Sequence, residues 1–256
     1  MKVKVVRSIL EMSKKLEDYL YYEEKDPDLK IYHGDCLEIM PLLPKVDLVL
    51  TDPPYGIAYN NKKLNRYSHS KFDDIHNDNI TMDFKFLFDF PVFKIVFGCM
   101  NFLDQLPSKG RWICWDKRVT ELADGVFGDP FEMAWMNKET GYNKIYRVMH
   151  GGVINADGAN QPRFHPTQKP VILFKKILLD LKLGLVLDPF LGSGTTLLAC
   201  KELNRNGIGI EINEKYCEIA KKRLKATCKP LFTDVNGAKG NSNVNTSQSV
   251  MGFDAE

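Results

Sequence analysis

The sequence predicts an α/β fold, a doubly wound and mostly parallel sheet with helices on both faces. Three observations predict it. Short apolar, β-branched runs close on an acid in VDLVLTD (46–52), GLVLDPF (184–190) and GIGIEI (207–212), which is how strands buried on both faces read. Helical patterns alternate with these runs: PVILFKKILLDL (170–181) places Ile172, Leu173, Ile177, Leu178 and Leu181 on one side, and NEKYCEIAKKRLKA (213–226) starts at an Asn cap. Between them, the Gly-rich turn GSGTT (192–196) joins a strand to a helix.

Bulk properties bound the answer. A chain of 256 residues with 44% hydrophobic content can bury one large core. The formal net charge of +2 demands no polyanionic partner by itself. The segment 138–169 is locally basic, with Lys138, Lys144, Arg147, Arg163 and Lys169 against Glu139 and Asp157. Such a patch tracks phosphates or is an ordinary solvated loop. The six cysteines form no C-x-x-C pair and stand beside no histidine at ligand spacing, so reduced thiols and no metal are expected. No apolar run reaches membrane-spanning length, and the first residues do not read as a signal peptide. A cytoplasmic protein is expected.

Taken in order, residues 1–30 read as an N-terminal arm, with a helix from about Ser8 to Glu24 that stops before Asp26-Pro27. KIYHGDCLEIM (30–40) reads as a strand, a turn at Gly34-Asp35 and a helix start, and VDLVLTD as a buried strand. Residues 57–80 lack apolar periodicity and form a long polar loop. FKIVFG (93–98), RWICWDK (111–117) and FEMAWMNK (131–138) are three more strands, and 139–168 is a second irregular stretch. The domain is expected to span 31–228, and the polar, Asn- and Ser-rich tail 229–256 is expected to be disordered.

Two stretches carry chemistry. In VLDPFLGSGTT (186–196) a strand ends at Asp188, Gly192 and Gly194 let the backbone approach a ligand, and Thr195 opens a helix. Glu211 closes the next strand, where an acid hydrogen-bonds ribose hydroxyls. A phosphate-binding P-loop would need a lysine after its glycines, and a dinucleotide fingerprint would need a third glycine; this chain has neither. A nucleoside cofactor and a bare strand-to-helix turn remain. TDPPYG (51–56) is the second stretch. An aromatic amine is a poor nucleophile because its lone pair is delocalised. The Asp52 carboxylate and the Pro53 carbonyl, held by the rigid Pro53-Pro54 backbone, are two acceptors for amine hydrogens, and Tyr55 is a face for stacking. A plain turn explains the prolines and glycine but not the tyrosine. RFHPTQKP (163–170) alone would be a polar helix entrance.

Together TDPPYG, RFHPTQKP, VLDPFLGSGTT and GIGIEINEKYCEIAKKRL resemble the S-adenosylmethionine-dependent DNA amino-methyltransferases, specifically the β-class, in which the target-base motif precedes the cofactor loop. The resemblance runs from about Ile31 to Lys225. It implies a methyltransferase-type Rossmann sheet of seven strands in circularly permuted order, with LVLTDPPY beside LVLDPF at the switch point. It implies catalytic roles for Asp52, Pro53, Pro54 and Tyr55. For S-adenosylmethionine it implies a wall made by Asp188, Pro189, Phe190, Gly192, Ser193, Gly194 and Thr195, with Glu211 and Ile212 at the ribose. Asp35 and Cys36 would stand at the adenine, and Thr167 and Lys169 at the methionine end.

The implied reaction is direct attack by an exocyclic amine of a flipped base, with no covalent nucleophile. Asp at the first motif position leans towards adenine N6; cytosine N4 is the alternative, and a non-catalytic DNA-binding module a weaker one. Duplex DNA is the implied partner, and a homodimer and a cognate restriction nuclease are both compatible with the sequence. DNA contacts are expected from loop 57–80, through Lys62, Lys63, Arg66 and Lys71, and from 139–162 and its flank, through Lys144, Arg147 and Arg163.

Overall fold

The computed structural model describes residues 14–54, 82–118, 129–139, 141–150 and 168–228. These form a single nine-stranded sheet in the order β1-β2-β9-β8-β3-β4-β6-β5-β7. The strands are β1 (Leu20–Lys25), β2 (Asp28–His33), β3 (Leu48–Thr51), β4 (Phe93–Phe97), β5 (Arg111–Asp116), β6 (Phe131–Met136), β7 (Lys144–Arg147), β8 (Val186–Asp188) and β9 (Gly207–Glu211). Five helices accompany them: α1 (Cys36–Ile39), α2 (Lys85–Asp89), α3 (Val171–Leu181), α4 (Thr195–Glu202) and α5 (Glu214–Ala226). Only β1 and β6 pair antiparallel to their neighbours, so the sheet is mostly parallel.

The alternation of side chains sorts the core into two layers. Leu48, Leu50, Ile95 and Phe97 face one layer with Leu173, Phe174 and Ile177 of α3. Val49, Val96, Leu187, Ile208 and Ile210 face the other, with Ile39 of α1 and Leu87 of α2. All four residues of β3 are buried, which is why the strand reads as a continuous apolar run. Burying side chains of this kind contributes roughly 1.5–3 kcal/mol each.

Two expectations about elements are corrected. The helix expected over 8–24 is absent from its described part: Leu16–Tyr19 form a 3₁₀ turn, and Leu20–Lys25 form β1, in a hairpin with β2. Tyr21 and Tyr22 suit a pleated, half-buried surface, and Tyr21 donates to Glu218 of α5 across 3.0 Å. Pairing to the edge of β2 outweighs the local helical pattern. The second irregular stretch holds β7, parallel to β5. Strands β1 and β7 therefore extend the expected seven strands to nine. Residues 57–80, most of 139–162 and the tail 229–256 lie outside the described residues.

The hairpin is anchored from inside. Lys201 of α4 is 5% exposed, and its ammonium donates to the Leu224 carbonyl at 2.8 Å and pairs with Glu24 of β1 at 2.6 Å. Replacing Lys201 by methionine keeps most of the volume and removes both interactions. The expected loss is about 2–3 kcal/mol, read as a lower urea midpoint at unchanged slope.

Candidate functional site

The parallel strands bring the carboxyl ends of β3, β8 and β9 together on one end of the sheet, where the strand order changes direction. Strands β3 and β8 are direct neighbours, with Leu48 opposite Val186 and Val49 opposite Leu187. The expected adjacency of LVLTDPPY and LVLDPF is met. Thr51, the last residue of β3, donates its hydroxyl to Asp188 Oδ1 across 2.7 Å. Thr196 of α4 donates to Asp188 Oδ2, and the Phe190 amide donates to Oδ1 at 3.1 Å. One buried carboxylate thus fastens β3, β8 and the start of α4. Burial pushes the Asp188 carboxyl up to about 6 against these three hydrogen bonds.

The loop after β8 is built to turn. Gly192 and Gly194 have φ of 53° and 92°, a region that favours glycine. A Cβ on Gly194 would lie 2.8 Å from the Cβ of Ala220, so α4 and α5 meet there at glycine distance. Glu211 faces the loop from the end of β9 and accepts the Gly192 amide at 2.7 Å and the Asn213 amide at 2.8 Å. Burial pushes its carboxyl up to about 7, with the backbone amides opposing. Ser193 donates to Gln168 at 3.2 Å and receives Arg223 at 3.0 Å, and Thr195 donates to the Lys169 carbonyl at 3.3 Å. Phe190 is half-buried, with the rings of Phe84 and Phe86 at 6.3 and 6.4 Å, and Pro189 is buried. Across the β2–β9 pair, His33 stands opposite Glu211. Gly34 donates to the Glu211 carbonyl at 3.0 Å, Asp35 caps α1 through the Leu37 amide, and Cys36 is buried behind it. Ile212 is 44% exposed beside this groove. Asp35, Glu211 and the Gly-rich loop therefore sit on adjoining strand ends.

The sign of one pH dependence follows. A carboxyl held above its unfolded value binds its proton earlier in the folded protein, so its contribution to stability grows as pH falls through the folded value. For Glu211 that window lies below about 7. The melting temperature of the wild type should gain on that of Glu211→Gln as pH is lowered from about 8 to about 5.5, read by thermal scans of both proteins.

Lys169 is where the structure adds to the sequence reading. Its side chain is only 4% exposed, and its ammonium lies 2.6 Å from Asp52 Oδ2 and 3.1 Å from Glu132 Oε2, with the ring of Phe97 at 5.9 Å. The residue expected at the methionine end thus also touches the acid of TDPPYG. Glu132, at the start of β6, also holds Lys117 at 2.6 Å. Neither Glu132 nor Lys117 stood out in the sequence. The signal was an acid inside an apolar strand, but its partners depend on β6 running antiparallel beside β5, with Glu132 opposite Trp115. Pro53 is buried and Pro54 half-buried beside Asp52.

Other expected residues divide. Tyr55, Lys62, Lys63, Arg66, Lys71, Arg163 and Thr167 lie outside the described residues. Lys144 and Arg147 are on β7, away from Asp52 in sheet order, and each is paired: Lys144 with Asp180 at 2.7 Å and Arg147 with Asp116 at 3.4 Å. Cys99, which feels the Asp52 charge, is buried, and that burial pushes its thiol up to about 12, which disfavours the thiolate.

The model of a protein family described as DNA methylase matches residues 112–222. The Type II methyltransferase M.HpaI of Haemophilus parainfluenzae is 30% identical over 217 residues, covering 70% of this chain and 68% of that protein. The chain belongs to this DNA methylase family. The resemblance to S-adenosylmethionine-dependent DNA amino-methyltransferases, carried by four short motifs, is borne out. The Type II methyltransferase M2.MboI of Moraxella bovis is 25% identical over 257 residues, covering 79% of this methylase and 90% of its relative. A solved structure of an M1.HpyAVI–SAM complex is 26% identical, with a TM-score of 0.44, covering 77% of this chain and 99% of that one. Among the described residues of the methylase, no helix is long and apolar enough to cross a membrane.

Proposed function

We propose that this methylase transfers the methyl group of S-adenosylmethionine to the exocyclic N6 of adenine in duplex DNA. The observation that carries the reading is the Thr51–Asp188 hydrogen bond of 2.7 Å, which ties the residue before Asp52 to the root of the Gly-rich loop. The chain's donors and acceptors fit the cofactor. Glu211 presents a carboxyl at the strand end where ribose hydroxyls are held, Gly192, where an added Cβ would meet nothing within 4 Å, leaves room for close approach, and Asp35 follows β2, which pairs with the strand of Glu211, for the adenine amine. When bound, the cofactor supplies an activated methyl group.

Asp52 and the Pro53 carbonyl accept the amine hydrogens of a base rotated out of the helix and draw its lone pair out of conjugation. Lys169 holds the Asp52 carboxylate and Thr51 beside it is fastened to Asp188, which would orient the amine towards the methyl group that the cofactor supplies. The proton then passes to Asp52 or to water. Tyr55 stacks on the base. Lys62, Lys63, Arg66, Lys71 and Arg163 contact phosphates.

The test is nucleoside analysis of DNA from a methylase-deficient host expressing the protein. N6-methyldeoxyadenosine is expected. N4-methyldeoxycytidine instead would keep the site and reassign the base. Light scattering in solution tests the homodimer, and the susceptibility of the methylated DNA to nucleases tests for a partner enzyme.

A further inference from the structure

Four charged side chains from four separate segments form one alternating row: Asp52, Lys169, Glu132 and Lys117, at successive distances of 2.6, 3.1 and 2.6 Å. Asp52 follows β3, Lys169 precedes α3, Glu132 is the second residue of β6 and Lys117 follows β5. Their side chains are 19%, 4%, 30% and 14% exposed, so water screens the row only weakly. Lys169 is the most buried, and it is shared between two carboxylates. What one of them gains from its charge, the other loses.

We propose that Glu132 is a positioning residue for methyl transfer: it competes with Asp52 for the Lys169 ammonium and so sets how strongly Asp52 accepts the substrate amine, with Lys117 as the counterweight on Glu132. The inference rests on the reading of Asp52 as the amine acceptor. An ammonium held wholly by Asp52 would weaken that carboxylate as an acceptor, whereas Glu132 draws part of the ammonium's charge away. Burial pushes the Glu132 carboxyl up, but Lys169 and Lys117 together outweigh it and hold it at about 2. Glu132 is therefore an anion throughout the range in which the enzyme can be assayed. Among the described groups, Asp188 and Cys99 also feel Asp52. Both are buried, and both are unchanged in the variants below.

The two neighbours give opposite signs. Glu132→Gln removes a negative charge and with it the competing carboxylate on Lys169, and should lower the single-turnover rate about tenfold while moving the acidic limb of the rate profile to lower pH. Lys117→Met removes a positive charge and preserves packing on Trp115, whose ring lies 5.0 Å from the Lys117 ammonium. It should move the acidic limb to higher pH. Glu132→Asp should restore part of the rate.

The experiment measures single-turnover methyl transfer against pH for wild type and both variants, with cofactor affinity and melting temperature as controls. Opposite displacements support the competition. Displacement in the same direction, or none, overturns it, because a merely structural role lowers rates without that sign. The carbon-13 carboxyl resonance of Asp52, titrated in the same three proteins, reads the competition without turnover. A wild type inactive on every DNA would defeat the proposed function and with it the role in methyl transfer, whereas unchanged Asp52 resonances in an active enzyme would overturn the competition alone.

Discussion

Asp52→Ala is expected to lower the rate of methyl transfer by about a thousandfold or more, the order lost with a positioned acid–base group, while S-adenosylmethionine still binds. The reasoning is geometric. Asp52 leaves the end of β3 next to a residue fastened to Asp188, whereas the Gly-rich loop is held by Asp188, Glu211 and Arg223, none of which changes. The truncation leaves the Lys169 ammonium paired with Glu132 at 3.1 Å, so the buried cation keeps a counter-ion and the fold survives. Isothermal titration with the cofactor and single-turnover assays on DNA separate the two effects. Near-full activity would remove Asp52 from the mechanism.

Asp188→Ala should produce the largest loss of stability. Thr51 is fully buried and Thr196 is 1% exposed. With the Phe190 amide, their hydroxyls would lose one common acceptor. Stranding buried donors costs about 1–3 kcal/mol each, less what relaxation recovers, so a total of about 3–5 kcal/mol is expected. In a domain of this size that lowers the melting temperature by roughly 10 °C. Cofactor affinity should fall as well, because the loop from Phe190 to Thr195 loses its root. A variant that melts with the wild type would show that the hydrogen bonds are replaced by others.

What the sequence made legible was the part decided locally. Runs such as VDLVLTD and GLVLDPF announce buried parallel strands because both faces are apolar, and β3 and β8 are indeed neighbours. The α5 helix begins where Asn213 caps it, its side chain accepting from the Lys215 amide. The glycines of GSGTT, read as a tight strand-to-helix turn, have positive φ as such a turn requires. The positions of Asp35, Asp52, Asp188 and Glu211 on one side of the sheet follow from strand ends alone.

What escaped was decided by tertiary pairing. β1 carries a charged, aromatic pattern that suits an exposed helix, and only the open edge of β2 makes it a strand. β7 is four residues long with two exposed positions, too short for a period to show. Glu132 and Lys117 are unremarkable in sequence, fifteen residues apart. They meet because β6 turns back beside β5, and Glu132 reaches Lys169, which just precedes α3. Lys144 and Arg147 were chosen on charge alone, and charge alone does not reveal that Asp180 and Asp116 already partner them.

Transfer of a methyl group to adenine in DNA is the reaction proposed for this site. The purified protein, incubated with isotope-labelled S-adenosylmethionine and unmethylated duplex DNA, tests it most directly. The DNA is then digested to nucleosides and the label located by mass spectrometry. Label on adenine N6 is expected with the wild type, and its loss with Asp52→Ala. Label on no DNA base, from a protein that demonstrably binds the cofactor, would contradict it.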